Sequence, residues 1–175
     1  IQNKIEESKN YVRKIEDSIE RISSIIDNLL NFSRLSSKEA QWICLYDFIS
    51  EIINLEKTTT GDRNISYLIE GKKSLECYVS KESLKHIIIN LISNSIDALE
   101  EDGQVIIKYQ QVEDRVLLEV KDDGVGISKE DRENIFNPFF TTKEPGKGTG
   151  LGLYIVYTEV QKLGGEIKVE SSNKN

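Results

Sequence analysis

The chain has 175 residues and a formal net charge of −7, and a chain of this length can bury roughly 70% of the surface that it exposes when unfolded. With 38% hydrophobic residues the composition argues against disorder, and the acidic balance argues against nucleic acid or direct contact with an anionic membrane. No apolar run approaches the ~20 residues of a membrane span.

Residue usage also suggests where the protein works. Cys44 and Cys77 lie far apart without C-x-x-C spacing, which predicts buried free thiols in a reducing cytoplasm rather than a disulfide or a zinc site. The sequence has no methionine and begins with Ile1, so we expect it to be part of a longer protein, which could itself be anchored to a membrane.

The first 36 residues have the pattern of a long amphipathic helix, with charged residues on the face opposite an apolar stripe. The stripe consists of Ile5, Val12, Ile15, Ile19, Ile22, Ile26 and Leu29. Ile25 and Leu30 widen it beyond a two-stranded seam, which predicts a helical bundle with another helix or a second chain. Packing of this helix on its own domain is the alternative. The polar stretch from Ser33 to Glu39 is the predicted linker.

From residue 40 to residue 175, strand-like and helix-like segments alternate, which predicts an α/β domain. The predicted elements are strands at 42–46, 64–70 and 75–79, a hairpin of strands at 104–110 and 115–121, a closing strand at 166–170, and helices at 47–56, 80–99, 128–135 and 149–163. Gly103 is predicted to end the second of these helices, residues 58–63 to form a loop, and residues 137–147 to form an ordered corner and a flexible lid. Helices against an antiparallel or mixed sheet indicate a two-layer α/β sandwich.

The helix from residue 80 carries polar residues at intervals of four, four and three, so that His86, Asn90, Asn94 and Asp97 share one face. Apolar neighbours already supply a buried stripe, so the polar face must meet either solvent or a site. A solvated face would be the ordinary interpretation of this pattern alone. Asparagine oxygens, however, suit a magnesium ion that keeps several waters while it bridges phosphates.

Two glycine-rich segments follow. In the first, Asp122 to Ile127, an aspartate after a strand can accept a hydrogen bond from an exocyclic amine and offers no donor, which favours adenine over guanine. In the second, Gly148 to Leu153, alternating glycines let main-chain N–H groups approach a polyphosphate, and the helix that follows adds its dipole. Neither the Walker loop nor G-x-G-x-x-G fits this segment.

Four segments together carry a resemblance to a known family. Asn90 to Ala98, Asp122 to Gly126, Ile135 to Lys143 and Gly148 to Leu153 resemble, in order and spacing, the N, G1, F and G2 boxes of sensor histidine kinases. The Pro138-Phe139-Phe140-Thr141-Thr142-Lys143 sequence is similar to the subgroup of nitrogen-regulation sensors. The resemblance covers Trp42 to Ser171 and implies the Bergerat ATP-binding fold.

The resemblance implies ATP and Mg²⁺ as ligands and a role for each matching residue. Asn94 would hold the metal, Asn90 and Lys143 would be the catalytic residues beside the phosphates, and Asp122 would recognise adenine. Gly124 and Gly126 would let the base approach. The implied nucleotide-binding residues are Asn90, Asn94, Asp97, Asp122, Gly124, Gly126, Ile127, Thr142, Lys143, Gly148, Thr149, Gly150, Leu151, Gly152 and Leu153.

The resemblance extends to the first segment. Ile19 to Arg34 looks like the second helix of the dimerisation and phosphotransfer domain, which in the family forms a four-helix bundle in a homodimer. The family's phosphoacceptor is a histidine on the first bundle helix. The single histidine of this chain, His86, lies in the N box instead, so the acceptor is expected outside this sequence.

One substitution separates kinase from hydrolase. In the chaperone, gyrase and mismatch-repair branches of the superfamily, a glutamate that activates water occupies the place of Asn90, and an amide cannot act as a general base. We therefore expect transfer of the ATP γ-phosphate to a histidine, with a response regulator as the downstream partner. A protein-serine kinase of the anti-sigma type and a nucleotide-gated scaffold without catalysis are the alternatives.

Overall fold

The computed structural model describes residues 11–12, 19, 39–59, 63–144 and 148–171. The predicted bundle helix and linker therefore lie largely outside the described residues, as do three residues of the predicted lid. Tyr11, Val12 and Ile19 are described, and they are helical and exposed. None of the described helices combines the length and the apolar content that crossing a membrane requires.

Strands and helices alternate along the described chain. The elements are β1 (Ala40–Cys44), α1 (Leu45–Thr59), β2 (Ile65–Glu70), β3 (Glu76–Ser80), α2 (Lys81–Ala98), β4 (Gly103–Val112), β5 (Arg115–Asp122), α3 (Lys129–Arg132) and α4 (Gly152–Lys162). Their types and order agree with the sequence prediction as far as α4.

The strands form two sheets in the described residues. β1 and β3 make an antiparallel pair in which Trp42 lies opposite Tyr78. In the other sheet the order is β2-β4-β5, with β2 parallel to β4 and β4 antiparallel to β5. The parallel pair needs a long crossover, and β3 and α2 provide it. The sheet is therefore mixed, and the predicted α/β class is confirmed.

An apolar cluster joins α1 and α2 to the inner face of the sheets. It is formed by Ile43, Leu45, Phe48, Ile49, Ile52, Ile53, Leu84, Ile88, Ile92, Ile96, Leu99, Val105, Ile107 and Tyr109. Alternate residues of β2 and β5 are exposed on the opposite face, as the period of two in a strand requires. Among the described residues, helices pack on one face of the sheet and the other face is exposed, so this domain has two layers.

Helix α2 connects this core to the polar residues singled out in the sequence. It begins as predicted, since the Ser80 hydroxyl accepts a hydrogen bond from the Ser83 N–H at 3.4 Å. The prediction that Gly103 ends it is wrong. The helix ends at Ala98, Leu99 is already extended, and Gly103 is the first residue of β4, where a β-carbon would lie 2.5 Å from the Leu99 side chain.

Other boundaries also differ from the prediction. α1 begins at Leu45 and continues into the predicted loop. α3 is a single helical turn, and non-helical turns follow it before residue 135. Residues 148–151 stay in a loop, so α4 starts three residues later than expected. Residues 166–170 keep the alternation of exposure that predicted a strand, yet they form no sheet pairing with any described residue.

The two cysteines are free, as predicted, although both are half-buried rather than buried. Burial raises the pKa of the Cys77 thiol above its usual value. A raised pKa keeps this thiol protonated and poorly reactive at neutral pH.

Candidate functional site

The polar face of α2 meets the start of α4, because the two helices pack side by side. The Asn90 amide nitrogen donates to the His86 carbonyl one turn earlier, at 2.8 Å, and this bond leaves the amide oxygen available. A β-carbon on Gly152 would lie 2.9 Å from that oxygen and 3.6 Å from the Asn94 amide nitrogen. The structure thus brings the asparagine pair against the last glycine of the Gly148 to Leu153 segment.

Asn94 has a buried amide nitrogen without a hydrogen-bond partner among the described residues. Unpaired buried polar groups are rare in folded proteins and call for an explanation. Amide oxygen and nitrogen are assigned from their hydrogen-bond partners, and here none fixes the choice, so either end of the side chain can face a ligand. An orphaned amide of this kind fits a magnesium ion that takes one oxygen from protein and the rest from phosphates and water.

The turn after β5 rests on the C-terminal end of α2. The Val125 N–H donates to the Ala98 carbonyl at 3.0 Å, and a β-carbon on Gly124 would lie 2.5 Å from the same oxygen. The resemblance implied that Gly124 lets the base approach, whereas the neighbour found in the structure is α2. Gly126 has a φ of 78°, a conformation that glycine adopts without strain.

Asp122 is held by its own turn. The Gly124 N–H donates to Asp122 Oδ1 at 3.1 Å, which leaves Oδ2 as the acceptor for another donor. Two residues that the sequence analysis missed hold the ends of this turn. Asp123 Oδ1 accepts from the Gln104 N–H at 2.8 Å, and the Ser171 hydroxyl accepts from the Ile127 N–H at 2.7 Å. Nothing in the local sequence distinguishes Asp123 from Asp122, because only the fold brings β4 beside it.

The corner before the lid packs on the glycine-rich loop. Phe139 has a φ of 67°, which is uncommon for a residue with a side chain, and its ring is exposed. Gly150 has the same φ, and a β-carbon there would lie 2.4 Å from the Phe139 carbonyl carbon. Phe136 stacks in a tilted geometry on Tyr157 of α4, with ring centroids 5.8 Å apart. The corner and α4 therefore hold the loop between them.

An ion pair links the described part of the lid to α2. Lys143 Nζ lies 2.5 Å from Asp97 Oδ2, and the two side chains are 35% and 44% exposed. Exposed pairs of this kind contribute about 0–1 kcal/mol to stability, so the bond holds Lys143 in place without locking it. Thr141 accepts from the Lys143 main-chain N–H at 3.2 Å, and Gly148 lies against the same hydroxyl.

The predicted site residues differ in how closely the structure joins them. Asn90, Asn94 and Gly152 meet directly, and Asp97 binds Lys143. The other predicted residues are less directly engaged: Thr142 is exposed, the Leu151 side chain is buried, and the Leu151 N–H already donates to the Thr149 hydroxyl at 3.3 Å. A phosphate would have to displace that hydroxyl to use the Leu151 N–H.

The sequence of this region matches a known family. Residues 80–175 match the family model described as histidine kinase-, DNA gyrase B- and HSP90-like ATPase, which is more than half of the chain. The chain belongs to this family, whose members bind ATP. This match confirms the predicted ATP-binding fold, and the named relatives given next confirm the predicted resemblance to sensor histidine kinases.

The most similar proteins include named kinases. Sporulation kinase D of Bacillus subtilis is 33% identical over 170 residues, which cover 95% of this chain and 33% of that protein. Sensor histidine kinase ZraS of Salmonella typhimurium is 30% identical over 167 residues, which cover 94% of this chain and 36% of that protein. The chain thus spans about a third of the length of these relatives.

Solved structures give the same assignment. The catalytic domain of histidine kinase ThkA superimposes with a TM-score of 0.65 at 32% identity, over 71% of this chain and 82% of that chain. Full-length ShkA, at 22% identity and a TM-score of 0.70 over 94% of this chain and 36% of that chain, shares the fold. The chain contains the ATP-binding catalytic domain of the sensor histidine kinase type.

The contact of Gly150 with Phe139 leads to a prediction about stability, and Gly164, which has nearly the same φ, provides the control. Gly164 has a φ of 68°, and a β-carbon there would meet nothing within 4 Å. Gly164→Ala should therefore cost only the left-handed backbone term, about 1–2 kcal/mol. Gly150→Ala has the same backbone cost and adds a clash with the main chain of Phe139. It should therefore lower the free energy of unfolding, measured in urea, by clearly more. Equal losses in the two variants would show that the packing of the corner on the loop is unimportant.

Proposed function

We propose that this chain binds Mg²⁺-ATP and transfers the γ-phosphate to a histidine on a separate acceptor helix, with a response regulator as the next partner in a two-component pathway. The observation that carries the proposal is the meeting of Asn90 and Asn94 with Gly152, at a place where Lys143 also reaches α2. In the proposed complex, amide oxygens, main-chain donors and this cation would surround the triphosphate. A metal-bound triphosphate needs these groups.

The phosphate end of the site would use neutral groups and one mobile cation. Asn94 would hold Mg²⁺, which supplies neutralisation of the triphosphate charge. The Leu151 side chain makes no capping hydrogen bond to α4, and the Gly152 and Leu153 N–H groups at the start of that helix would donate to phosphate oxygens. Lys143 would exchange its bond with Asp97 for one with a phosphate oxygen, which stabilises charge in the transition state.

The adenine end would use Asp122. Its Oδ1 is already bonded to the Gly124 N–H, so the carboxylate is fixed in direction and Oδ2 can accept the exocyclic amine of adenine. A carboxylate offers no donor to the carbonyl that guanine carries at the same ring position. This arrangement favours ATP over GTP.

Asn90 supports transfer over hydrolysis. Its amide nitrogen donates to the His86 carbonyl, and its amide oxygen faces Gly152. In the hydrolysing branches of the superfamily, a carboxylate at the position of Asn90 would activate water. Because an amide takes up no proton at neutral pH, water bound there is not activated. His86 itself is half-buried within α2, and we assign it no role as phosphoacceptor.

The proposal includes a division of the chain into two domains. We assign residues 1–36 to the second helix of a dimerising bundle and residues 40–175 to the catalytic domain. The match to sporulation kinase D covers 95% of the chain and so includes part of the first segment. We further propose that the protein is a homodimer through that bundle and acts in the cytoplasm.

A transfer assay tests the reaction. The chain is mixed with a separately produced bundle domain that carries an acceptor histidine, together with ATP labelled on the γ-phosphate. Acid-labile, base-stable label should appear on the acceptor, and it should be lost when EDTA removes magnesium. Label on serine would support the anti-sigma alternative, rapid release of free phosphate would support a hydrolase, and ATP binding without transfer would support the scaffold.

Asn94→Ala tests the metal position. We expect Mg²⁺-dependent ATP affinity in calorimetry to fall by at least about tenfold, the loss typical even of groups that only support a metal ligand. Unfolding should change little, because the amide has no hydrogen-bond partner to lose. Asn54→Ala, an exposed asparagine on α1, is the matched control. Unchanged affinity in the Asn94 variant would refute the assignment.

Asp122→Asn tests base recognition. An amide can present a donor where the carboxylate presents only an acceptor, so the ratio of ATP affinity to GTP affinity should fall by about tenfold or more, the scale of a hydrogen bond to a charged group. Titrations of both nucleotides measure it. Asp47→Asn, exposed in the first turn of α1, should leave the ratio unchanged. The same ratio in all three proteins would contradict this role.

A further inference from the structure

The C-terminal end of α2 has no glycine cap, although the Leu99 N–H donates to the Ile96 carbonyl at 3.2 Å. Leu99 follows the helix in an extended conformation, with φ −78° and ψ 135°, so no left-handed glycine satisfies the last carbonyls. The last turn also contains no basic residue, and Asp97 adds a negative charge to it. Both features leave the negative end of the helix dipole without compensation from α2 itself.

Arg63, from the segment before β2, supplies what the helix lacks. One terminal nitrogen of its guanidinium donates to the Ile96 carbonyl at 3.1 Å and to the Leu99 carbonyl at 2.7 Å. Its Nε donates to the Glu101 carbonyl at 3.1 Å. One side chain thus binds three main-chain oxygens around the end of α2 and places a positive charge beside them. The planar, always charged guanidinium suits this task better than an ammonium group.

The carbonyl between those bound by Arg63 supports the turn that carries Asp122. Ala98 O accepts from the Val125 N–H at 3.0 Å, and Gly124 packs on it so closely that a β-carbon would not fit. Gly124 in turn donates to Asp122 Oδ1. A continuous chain of hydrogen bonds and packing therefore runs from Arg63, through the last turn of α2, to the Asp122 carboxylate.

We propose that Arg63 is a positioning residue for the adenine end of the nucleotide site, acting through the carbonyls at the end of α2 without touching the nucleotide. The inference rests on the proposed function. Without Arg63, the Ile96 and Leu99 carbonyls lose a donor, the last turn of α2 loosens, and Ala98 no longer fixes the turn from Asp122 to Val125. At the phosphate end, Asn90, Asn94 and Gly152 lie further from the helix end and should keep their arrangement. Lys143 leaves Asp97 when it binds phosphate in the proposed complex, so loosening of the last turn should not remove it from the site.

The test compares ligands that use different parts of the site. The 175-residue chain and its Arg63→Ala and Arg63→Lys variants are titrated with Mg²⁺-ATP, Mg²⁺-GTP and Mg²⁺-bound inorganic triphosphate, well below their unfolding temperatures. Arg115→Ala removes the same type of side chain from an exposed position at the start of β5 and serves as the control. Arg63→Ala is also combined with Asp122→Asn in a double-mutant cycle.

Arg63→Ala should weaken ATP binding by about tenfold, the scale of one lost charged hydrogen bond, and reduce preference for ATP over GTP, while triphosphate binding stays unchanged. In the Asp122→Asn background the same substitution should have little further effect. Arg63→Lys keeps the charge but loses the planar guanidinium that binds several carbonyls at once, so its ATP affinity should lie between those of the unmodified chain and Arg63→Ala. This variant provides the test if the alanine variant does not fold.

Two results would overturn the inference alone. One is an ATP-to-GTP ratio unchanged by either Arg63 variant, which would make the residue a stabiliser of the fold only. The other is a loss that adds fully to that of Asp122→Asn, or that affects triphosphate equally. An unmodified chain that binds no ATP would instead overturn the proposed function, and this inference with it.

Discussion

The site depends on close packing at two glycines around α2. Gly152 of α4 lies against the side-chain amide of Asn90, and Gly124 of the turn after β5 lies against the main chain of Ala98, where a β-carbon would be 2.5 Å from the carbonyl oxygen. The first contact brings α4 to the polar face of α2, and the second brings the turn after β5 to the C-terminal end of the same helix. Because interiors are close-packed, a methyl group added at Gly124 would have to displace the main chain at the end of α2. Glycine at position 124 is thus a requirement of assembly, before any ligand is considered.

Electrostatics explains how an acidic chain can be built to hold a polyanion. With a net charge of −7, long-range attraction works against ATP, so the favourable groups must be local. The groups that we propose for this role are the asparagine amides, the N–H groups at the start of α4, and Lys143. This lysine is paired with Asp97 in the structure, so in the proposed complex a phosphate must compete with a carboxylate for it. A partly exposed pair is weak enough for that exchange.

Much of this arrangement could be predicted from sequence, because it depends on local chemistry. The Ser80 cap, the hairpin of β4 and β5, and the spacing of Asn90 and Asn94 along a helix follow from rules that operate within a few residues. The errors have a common origin. Gly103 looked like a helix terminator, yet it is needed where β4 starts against Leu99 and Asp123. Residues 166–170 have the alternation of a strand, and pairing depends on a neighbour that no local pattern reveals.

The sequence by itself determined the order of the elements and pointed to the residues that we propose carry the chemistry, since periodicity, turn residues and motif spacing are properties of short segments. Only the tertiary structure decided that Arg63 binds the end of α2, that the side chain of Asp123 rather than that of Asp122 bonds to β4, and that Lys143 pairs with Asp97. Each of these contacts joins residues distant in the chain, and the energy of such a contact exists only after the backbone has been folded around the core.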